Sequence, residues 1–315
     1  MNLSRKLFFS GFLLLVALAS HSPLQAAGDK DVAGVVLSFD DTYVKQWYDY
    51  FGQRTDNDEV KATFFVSYWH TLSDAEIDKL RLLRAKGHEI GNHTYSHKGV
   101  AGDYNFDPSR VQEYLGDQII PSLLNMRADG FSPVSFSYPS GERNEVYDAA
   151  VRQYFPYLRT TFTDVSREMF QTGEIFHGPN DQYEVLAGDG IDNSYNNPVA
   201  EIEAALLRAK TNNEIVTVYA HRILADGSPD ADHPYGIRGS KLDRLIVAAK
   251  EMGLKFYTFE EAWKIGNQNG PVSNTNITVS SSGGSGSVNA YIIFLLSLVS
   301  LLKLAPGIAK RLFRH

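Results

Sequence analysis

The chain has 315 residues, of which 43% are hydrophobic and 12% aromatic, so apolar side chains suffice for a globular core. Its formal net charge of −7 argues against a general basic surface, and we predict no nucleic-acid partner. Because the sequence has no cysteine, disulfides, cysteine metal ligands and cysteine nucleophiles are excluded.

The first segment has the pattern of a secretory signal. Arg5 and Lys6 precede an apolar run over residues 7–19, and residues 24–27 (Leu-Gln-Ala-Ala) resemble a small-residue cleavage site. The apolar run is shorter than a membrane-spanning helix requires. We therefore predict a signal peptide over residues 1–27 and an exported protein, located in the periplasm or at the cell surface.

The next stretch predicts a strand that ends in two adjacent carboxylates. Residues 34–37 are small or apolar without alternation, which is typical of a strand buried on both faces in a parallel sheet. The strand leads to Asp40 and Asp41. One carboxylate could bind a metal ion beside the other as general base. A bare Asp-Asp pair is more typical of a helix cap at Asp41 and a solvated turn residue at Asp40, so the functional hypothesis depends on partners elsewhere in the chain.

Strand and helix patterns then alternate. Ser73 and Glu76 form a possible capping box before a helix that Gly87 would end. Further strands are predicted at residues 61–66, 88–91, 134–138, near 157, 214–220 and 254–258, and helices from about residues 144, 198 and 241. Repeated β–α units predict an α/β fold, a distorted barrel of parallel strands with its site at their C-terminal ends. The domain would span residues 28–270, with a long loop at 163–197 that is either functional or disordered.

Two histidines follow the predicted strand at 88–91. His93 and His97 are four residues apart, and on one helical turn this spacing would place both imidazoles on the same face, where they can share a metal ion. A barrel would bring them to the same mouth as the two aspartates. Taken alone, the spacing is more typical of chance or of hydrogen-bonding histidines. Beside the aspartates, two histidines and one carboxylate would have the form of a catalytic zinc site with an open position for water. The same ligand types also occur in non-haem iron oxygenases, although the usual His-x-Asp/Glu pairing is absent.

Together, residues 38–41 (Ser-Phe-Asp-Asp) and 93–97 (His-Thr-Tyr-Ser-His) resemble motifs of the polysaccharide deacetylases of carbohydrate esterase family 4. The resemblance spans about residues 32–263. It implies that a divalent metal, zinc first and cobalt or nickel as alternatives, is bound by Asp41, His93 and His97. It also implies that Asp40 is the general base.

Residues 136–141 (Phe-Ser-Tyr-Pro-Ser-Gly) are similar to a third motif of this family. The resemblance implies three residues at the substrate or its oxyanion: Tyr138, Pro139 and Ser140. Many relatives have an arginine where Ser137 stands, so the sequence leaves open what orients Asp40. Arg143 is the nearest arginine, and we interpret it as a solvated surface charge.

The last motif is an apolar strand, residues 215–220, followed by His221, which the resemblance implies is the general acid. Its aspartate partner matches only loosely: Asp192 is a candidate and Asp189 a weaker one. The implied reaction is hydrolysis of N-acetyl groups on N-acetylglucosamine-containing polysaccharide, such as exopolysaccharide, chitin-like polymer or peptidoglycan. The missing arginine leaves a catalytically impaired carbohydrate-binding relative as the alternative.

The C-terminal part has the pattern of a tether and a membrane segment. Residues 271–287 are rich in Ser and Gly and predict a flexible linker. Residues 288–302 are apolar and, extended past Lys303, reach about 20 residues, enough to cross a bilayer. With the basic residues beyond them, they resemble GlyGly-type C-terminal sorting signals, which an intramembrane protease removes. A permanent membrane anchor over residues 288–315 and a cleaved sorting tail both remain open.

Overall fold

The computed structural model describes residues 31–55, 59–162, 167–179, 181–195 and 197–267. The predicted signal peptide, linker and membrane tail lie outside these ranges. Within them, no helix has the length and apolar content that a membrane crossing requires.

The described ranges contain eleven strands. In chain order they are β1 (Gly34–Asp41), β2 (Thr63–Val66), β3 (Glu89–Asn92), β4 (Ser135–Ser137), β5 (Tyr157–Thr161), β6 (Phe176–His177), β7 (Leu186–Gly190), β8 (Ile215–Ala220), β9 (Arg222–Leu224), β10 (Gly236–Arg238) and β11 (Lys255–Tyr257).

Parallel pairing closes the sheet into a barrel in the order β1-β2-β3-β4-β5-β7-β8, with β8 returning to β1. β6 pairs antiparallel with β8, while β9 and β10 form a separate parallel pair. The predicted α/β barrel of parallel strands is confirmed.

Strand β1 has neighbouring strands along both edges. Its predicted burial on both faces is confirmed, since only its last residue is not buried. One edge pairs with β8 from Gly34 to Phe39. The other edge is shared: its first three residues pair with β11 and its last four with β2. Gly34 permits this arrangement, because a Cβ atom there would lie 2.6 Å from the Lys255 carbonyl oxygen.

Nine α-helices lie in the described ranges. They are α1 (Val44–Trp47), α2 (Asp74–Ala85), α3 (Val100–Tyr104), α4 (Val111–Tyr114), α5 (Ile120–Ala128), α6 (Glu145–Val151), α7 (Val199–Asn212), α8 (Gly239–Glu251) and α9 (Phe259–Gly266). Single π-helical turns follow α1 and α4. The capping box predicted for Ser73 and Glu76 is confirmed at the start of α2, and a second one opens α9 at Thr258.

One barrel strand lies inside the segment that we predicted as a loop. Strand β7 has the sequence Leu-Ala-Gly-Asp-Gly, which lacks the β-branched and aromatic residues typical of strands. Small residues fit here because the barrel interior is crowded: a Cβ on Gly188 would lie 3.3 Å from the Thr217 side chain and 3.5 Å from Nη1 of Arg159. The loop prediction was therefore wrong for residues 186–190.

Candidate active site

The predicted site residues meet at the C-terminal end of the barrel. Asp40 and Asp41 end β1, His93 directly follows β3, and His221 directly follows β8. Because the carboxyl ends of parallel strands open on the same mouth, residues far apart in sequence become neighbours there.

Asp41, His93 and His97 form a cluster with the donor set of a metal site. Each offers one ligand atom, and these atoms lie within 4.8 Å of one another. Oδ1 of Asp41 is 3.2 Å from Nε2 of His97 and 3.8 Å from Nε2 of His93. Two imidazole nitrogens and one carboxylate oxygen facing the same point fit a divalent transition metal with an open coordination position. The side chains present therefore suit the ion that the resemblance implies.

The two histidines converge by a different route from the helical turn that we predicted. Residues 93–97 form a loop after β3, and that prediction was wrong. Thr94 and His97 have positive φ angles of 70° and 56°. The Thr94 amide donates to Oδ1 of Asn92 (2.9 Å), and the His97 amide donates to Oγ1 of Thr94 (3.0 Å). These side-chain acceptors stabilise a backbone conformation that is unfavourable for residues other than glycine.

His93 is held in the orientation that a metal ligand needs. Its Nδ1 lies 2.7 Å from the Ser137 carbonyl oxygen, which can only accept, so the proton is on Nδ1 and Nε2 faces Asp41 with a free lone pair. Burial lowers the pKa of His93 to about 4 against the opposing charge of Asp40. The ring is therefore neutral at physiological pH, the form that binds metal.

Asp40 lies beside this cluster but has different partners. It is 2% exposed, and its Oδ2 is 4.0 Å from Nε2 of His93 and in direct contact with Nη2 of Arg159. Burial raises the pKa of Asp40, but the charge and hydrogen bond of Arg159, together with the nearby His93 and His221, outweigh it, and the net direction is downward. Oδ1 has no hydrogen-bond partner among the described residues. Asp40 is thus an ionised buried carboxylate with one oxygen unoccupied by protein.

Arg159 supplies the cation that the sequence lacks at Ser137. It projects from β5, is fully buried, and donates from Nη2 both to Asp40 and to Oγ of Ser137. Its guanidinium lies over the rings of Phe65 and Tyr219, 5.2 Å and 4.7 Å from their centroids. The sequence signal that we overlooked is an arginine within an otherwise strand-like segment, where a charge is rarely buried without a partner.

The arginine that we considered from sequence has another role. Arg143 contacts Oδ2 of the buried Asp148 through Nε and Nη2. It therefore orients Asp148 rather than Asp40, and the interpretation as a solvated surface charge was wrong.

His221 lies on the opposite side of the site with an aspartate partner. Its Nδ1 is 2.5 Å from Oδ2 of Asp192, and its backbone amide donates to Oδ1 of the same carboxylate (3.2 Å). Burial opposes a charge on His221, but the hydrogen bond and the charge of Asp192 prevail, and the pKa of His221 is raised. Asp189 is elsewhere, in β7, where it accepts from the Gly190 amide (2.7 Å). Of the two candidate aspartates, only Asp192 contacts the histidine.

The third motif, residues 136–141, places few side chains at the site. Tyr138 and Pro139 are buried, and the Tyr138 ring packs within an apolar cluster outside the barrel mouth, against Phe136. Ser140 is exposed, with a positive φ of 56°. Of the three residues predicted to contact the substrate, only Ser140 is therefore exposed.

Comparison with known proteins fits this arrangement. Residues 27–155 match the polysaccharide deacetylase family. The matched segment includes Asp40, Asp41, His93 and His97, whereas Arg159, Asp192 and His221 lie beyond it. A chitin deacetylase from Colletotrichum lindemuthianum is 30% identical over 105 residues, which cover 31% of this chain and 38% of that protein.

Solved structures with a similar fold include the same fungus's chitin deacetylase and a family 4 acetyl xylan esterase from Clostridium thermocellum. The first has a TM-score of 0.45 and 20% identity, covering 74% of this chain and 88% of the other. The second has a TM-score of 0.43 and 21% identity, covering 75% and 92%.

Proposed function

We propose that this protein is an exported, metal-dependent hydrolase that removes N-acetyl groups from N-acetylglucosamine-containing polysaccharide. The observation that carries the proposal is the mouth of the barrel. There, a two-histidine, one-carboxylate cluster lies beside the buried Asp40–Arg159 pair, and the His221–Asp192 pair completes the site. Export rests on the N-terminal sequence pattern.

Asp41, His93 and His97 would hold the metal ion. A divalent ion bound there lowers the pKa of water and polarises a carbonyl oxygen. Zinc, cobalt and nickel all suit this donor set, and zinc is our first choice.

Asp40 is the group that accepts a proton from the attacking water. The contact with Arg159 fixes its Oδ2 and keeps the carboxylate ionised, so Oδ1 is available for the proton. A general base must be ionised and within reach of the reacting water. Asp40 meets the first condition by its charge partner and the second by its position next to the ligand Asp41.

His221 is the group that returns a proton to the leaving nitrogen. Asp192 is hydrogen-bonded to Nδ1, so Nε2 is the ring nitrogen available for transfer. The raised pKa keeps a larger fraction of His221 protonated at neutral pH, as a general acid requires. The products are acetate and a free amine on the sugar.

The test is acetate release by the metal-loaded protein from poly-N-acetylglucosamine, chitin oligosaccharides and peptidoglycan. Chelation should abolish release, and zinc, cobalt or nickel should restore it. Asp41→Ala should lose both bound metal and activity, whereas Asp78→Ala, on the exposed face of α2, should retain both.

A folded, metal-loaded protein that releases acetate from none of the three polymers would refute the deacetylase proposal. It would favour the carbohydrate-binding alternative if the polymers still bind.

A further inference from the structure

The loop at residues 93–97, which carries two of the three proposed metal ligands, does not hold its own backbone in place. Among the described residues, none of its five amides donates to a carbonyl oxygen of the same loop. The two amides nearest its centre, those of Tyr95 and Ser96, both donate to a single residue outside it, Gln118. The conformation of the loop therefore depends on groups elsewhere in the chain.

Gln118 contacts the loop through both its backbone and its side chain. Its carbonyl oxygen accepts from the Tyr95 amide (2.9 Å), and its Oε1 accepts from the Ser96 amide (3.0 Å). The Ser96 hydroxyl lies 3.2 Å from Oε1 and 3.0 Å from Nε2 of the same side chain. Gln118 is 2% exposed. Breaking these bonds is costly because the buried amide cannot bond to water instead.

Gln118 lies where the hydrogen-bond pattern of its helix is interrupted. Residues 115–119 form the π-helical turn after α4, and the Ile120 amide donates to the Leu115 carbonyl, five residues earlier. Pro121 follows and has no amide hydrogen to donate. Such turns are rare inside helices and are frequent at functional sites. Carbonyl oxygens in this interruption are free to accept from outside the helix, as that of Gln118 does.

The next helical residues also hold the start of the loop. Ser122 is fully buried in α5, and its Oγ accepts from Nδ2 of Asn92 (2.7 Å). Oδ1 of Asn92 in turn accepts from the Thr94 amide (2.9 Å). Thr94, whose positive φ is unfavourable, is thus held on both sides: by Asn92 before it and by the bonds to Gln118 after it.

We propose that Gln118 is a positioning residue for the metal site: it holds the loop at 93–97 in the binding conformation before the ion arrives and so sets the metal affinity. The inference rests on the metal ion of the proposed function but not on its substrate. Residues that orient metal ligands commonly change metal affinity by about 10- to 100-fold. His97 depends most on such support, because it is only partly buried and its own φ is positive.

Zinc affinity of the full chain tests the proposal without any substrate. Gln118→Met keeps the backbone carbonyl and a similar volume but removes the side-chain bonds to Ser96. We expect its zinc dissociation constant, measured by competition with a chromophoric chelator, to rise by about 10- to 100-fold. Gln118→Glu keeps an acceptor for the Ser96 amide and hydroxyl, and it should bind zinc like the parent.

Two further variants separate positioning from general damage. Gln112→Met makes the same substitution at an exposed position of α4 and should leave zinc affinity unchanged. Ser96→Ala removes only the hydroxyl that contacts Gln118. It should weaken zinc binding, with no further loss when it is added to Gln118→Met. Ser96→Ala also decides the question if Gln118→Met does not fold, since parent-like zinc affinity in this variant would refute the proposal.

Hydrogen exchange of the metal-free protein measures the loop itself. In Gln118→Met we expect faster exchange at the amides of Tyr95 and Ser96, with exchange in β1 unchanged. The inference is wrong if Gln118→Met binds zinc like the parent, whatever its melting temperature, since the glutamine would then only stabilise the packing of its helix. It is also wrong if zinc affinity falls while exchange in the loop stays the same.

Acetate release distinguishes this inference from the proposed function. Zinc affinity that depends on Gln118, without acetate release from any polymer, refutes the deacetylase alone. Acetate release by a protein whose zinc affinity does not depend on Gln118 refutes the positioning role alone. A parent protein that binds no zinc, cobalt or nickel refutes both.

Discussion

A carboxylate lies at each end of the barrel, Asp40 buried and Glu89 partly buried, and the two have different partners. At the C-terminal end, Asp40 contacts the buried guanidinium of Arg159, and its pKa is lowered despite burial. At the N-terminal end, Glu89 begins β3; burial raises its pKa, and its hydrogen-bond donors among the described residues are all neutral. A charged partner keeps one carboxylate ionised, while the other is biased toward its neutral form.

The N-terminal carboxylate has a structural role. Glu89 accepts from the hydroxyls of Ser135 and Thr63 and from the backbone amide of Glu260 (2.9 Å). Glu260 is the second residue of α9, so this network joins the start of that helix to the strands β2, β3 and β4. The polar groups are satisfied, as is usual for buried groups that only stabilise a fold.

The two ends of the barrel also differ in backbone conformation. Five of the eight described non-glycine residues with positive φ lie at or after the C-terminal ends of strands: Asp41, Tyr68, Thr94, His97 and Ser140. Asn105 and Phe106, which also have positive φ, directly follow α3. Before β8, at the other end, Asn213 also has a positive φ, but it is an ordinary left-handed helix cap. Unfavourable conformations gather where function is proposed, as is general for active sites.

The largest expected difference between Asp40 and Glu89 is in the effect of their substitution on the catalytic rate. Asp40→Asn keeps the shape of the side chain but cannot accept a proton, so deacetylation should fall by ~10²–10⁴-fold with bound metal retained. Glu89→Gln should deacetylate at the parent rate. Metal content and acetate release on both variants check this. Parent-like turnover by Asp40→Asn would mean that another group is the base.

The next largest effect is expected on the free energy of unfolding when Arg159, the charge partner of Asp40, is replaced. Arg159→Met leaves a buried carboxylate without its partner and should lower the free energy of unfolding by ~3–5 kcal/mol. The double variant Arg159→Met/Asp40→Asn should recover much of that loss, because neither charge is then buried alone. Chemical denaturation of the four proteins of this cycle measures the coupling.

Arg159→Lys provides a functional readout in case the methionine variant does not fold. It keeps the charge but has a single ammonium for the two acceptors on Asp40 and Ser137. We expect kcat to fall with KM and metal content unchanged. Additive stability losses in the cycle, together with normal turnover by the lysine variant, would show that Arg159 does not position the base.

A smaller effect is expected from the pair at His221. His221→Ala should lower the rate by ~10²-fold and leave metal content unchanged. Asp192→Asn should act more mildly, because it removes the charge that raises the pKa of His221 while a side-chain oxygen remains. Since the acid must be protonated, the alkaline limb of the pH–rate profile should move to lower pH. An unmoved limb would show that His221 is not the titrating acid, and loss of metal from His221→Ala would identify it as a ligand.

The sequence predicts the metal side of the site better than the rest, for a physical reason. Asp40 and Asp41 are adjacent, and His93 and His97 are four apart, so each pair is placed by one local turn at the end of one strand. Arg159 meets Asp40 only because β5 and β1 lie across a closed barrel. No local sequence pattern predicts the contact between Arg159 and Asp40.

The fold was predictable where periodicity is strong and was missed where tertiary packing overrides propensity. Strand β1 and the capped helix α2 follow from burial and capping patterns. Strand β7 does not, because its glycines fit close tertiary contacts rather than strand propensity: Gly188 packs beside Arg159 and Gly190 against the Tyr195 ring. The sequence predicted that residues 93–97 carry ligands, but the loop that brings the histidines together depends on backbone amides donating to the side chains of Asn92 and Thr94.

The smallest expected effect is on stability, at Glu89. Its pKa is raised by folding, so the folded protein holds a proton that the unfolded chain releases above about pH 4.5, and the contribution of Glu89 to stability declines as pH rises from there through the folded pKa. Glu89→Gln can accept from Thr63 and the Glu260 amide and donate to Ser135, and it does not ionise. Relative to the parent, this variant should therefore become more stable as pH rises from about 4.5 to 8. Glu89→Ala is the control, since it leaves three donors without an acceptor and should lower the free energy of unfolding by ~1–3 kcal/mol at every pH. Melting temperatures of the three proteins across this range measure the difference, and a constant gap between parent and Glu89→Gln would show that Glu89 ionises as freely in the folded barrel as in the unfolded chain.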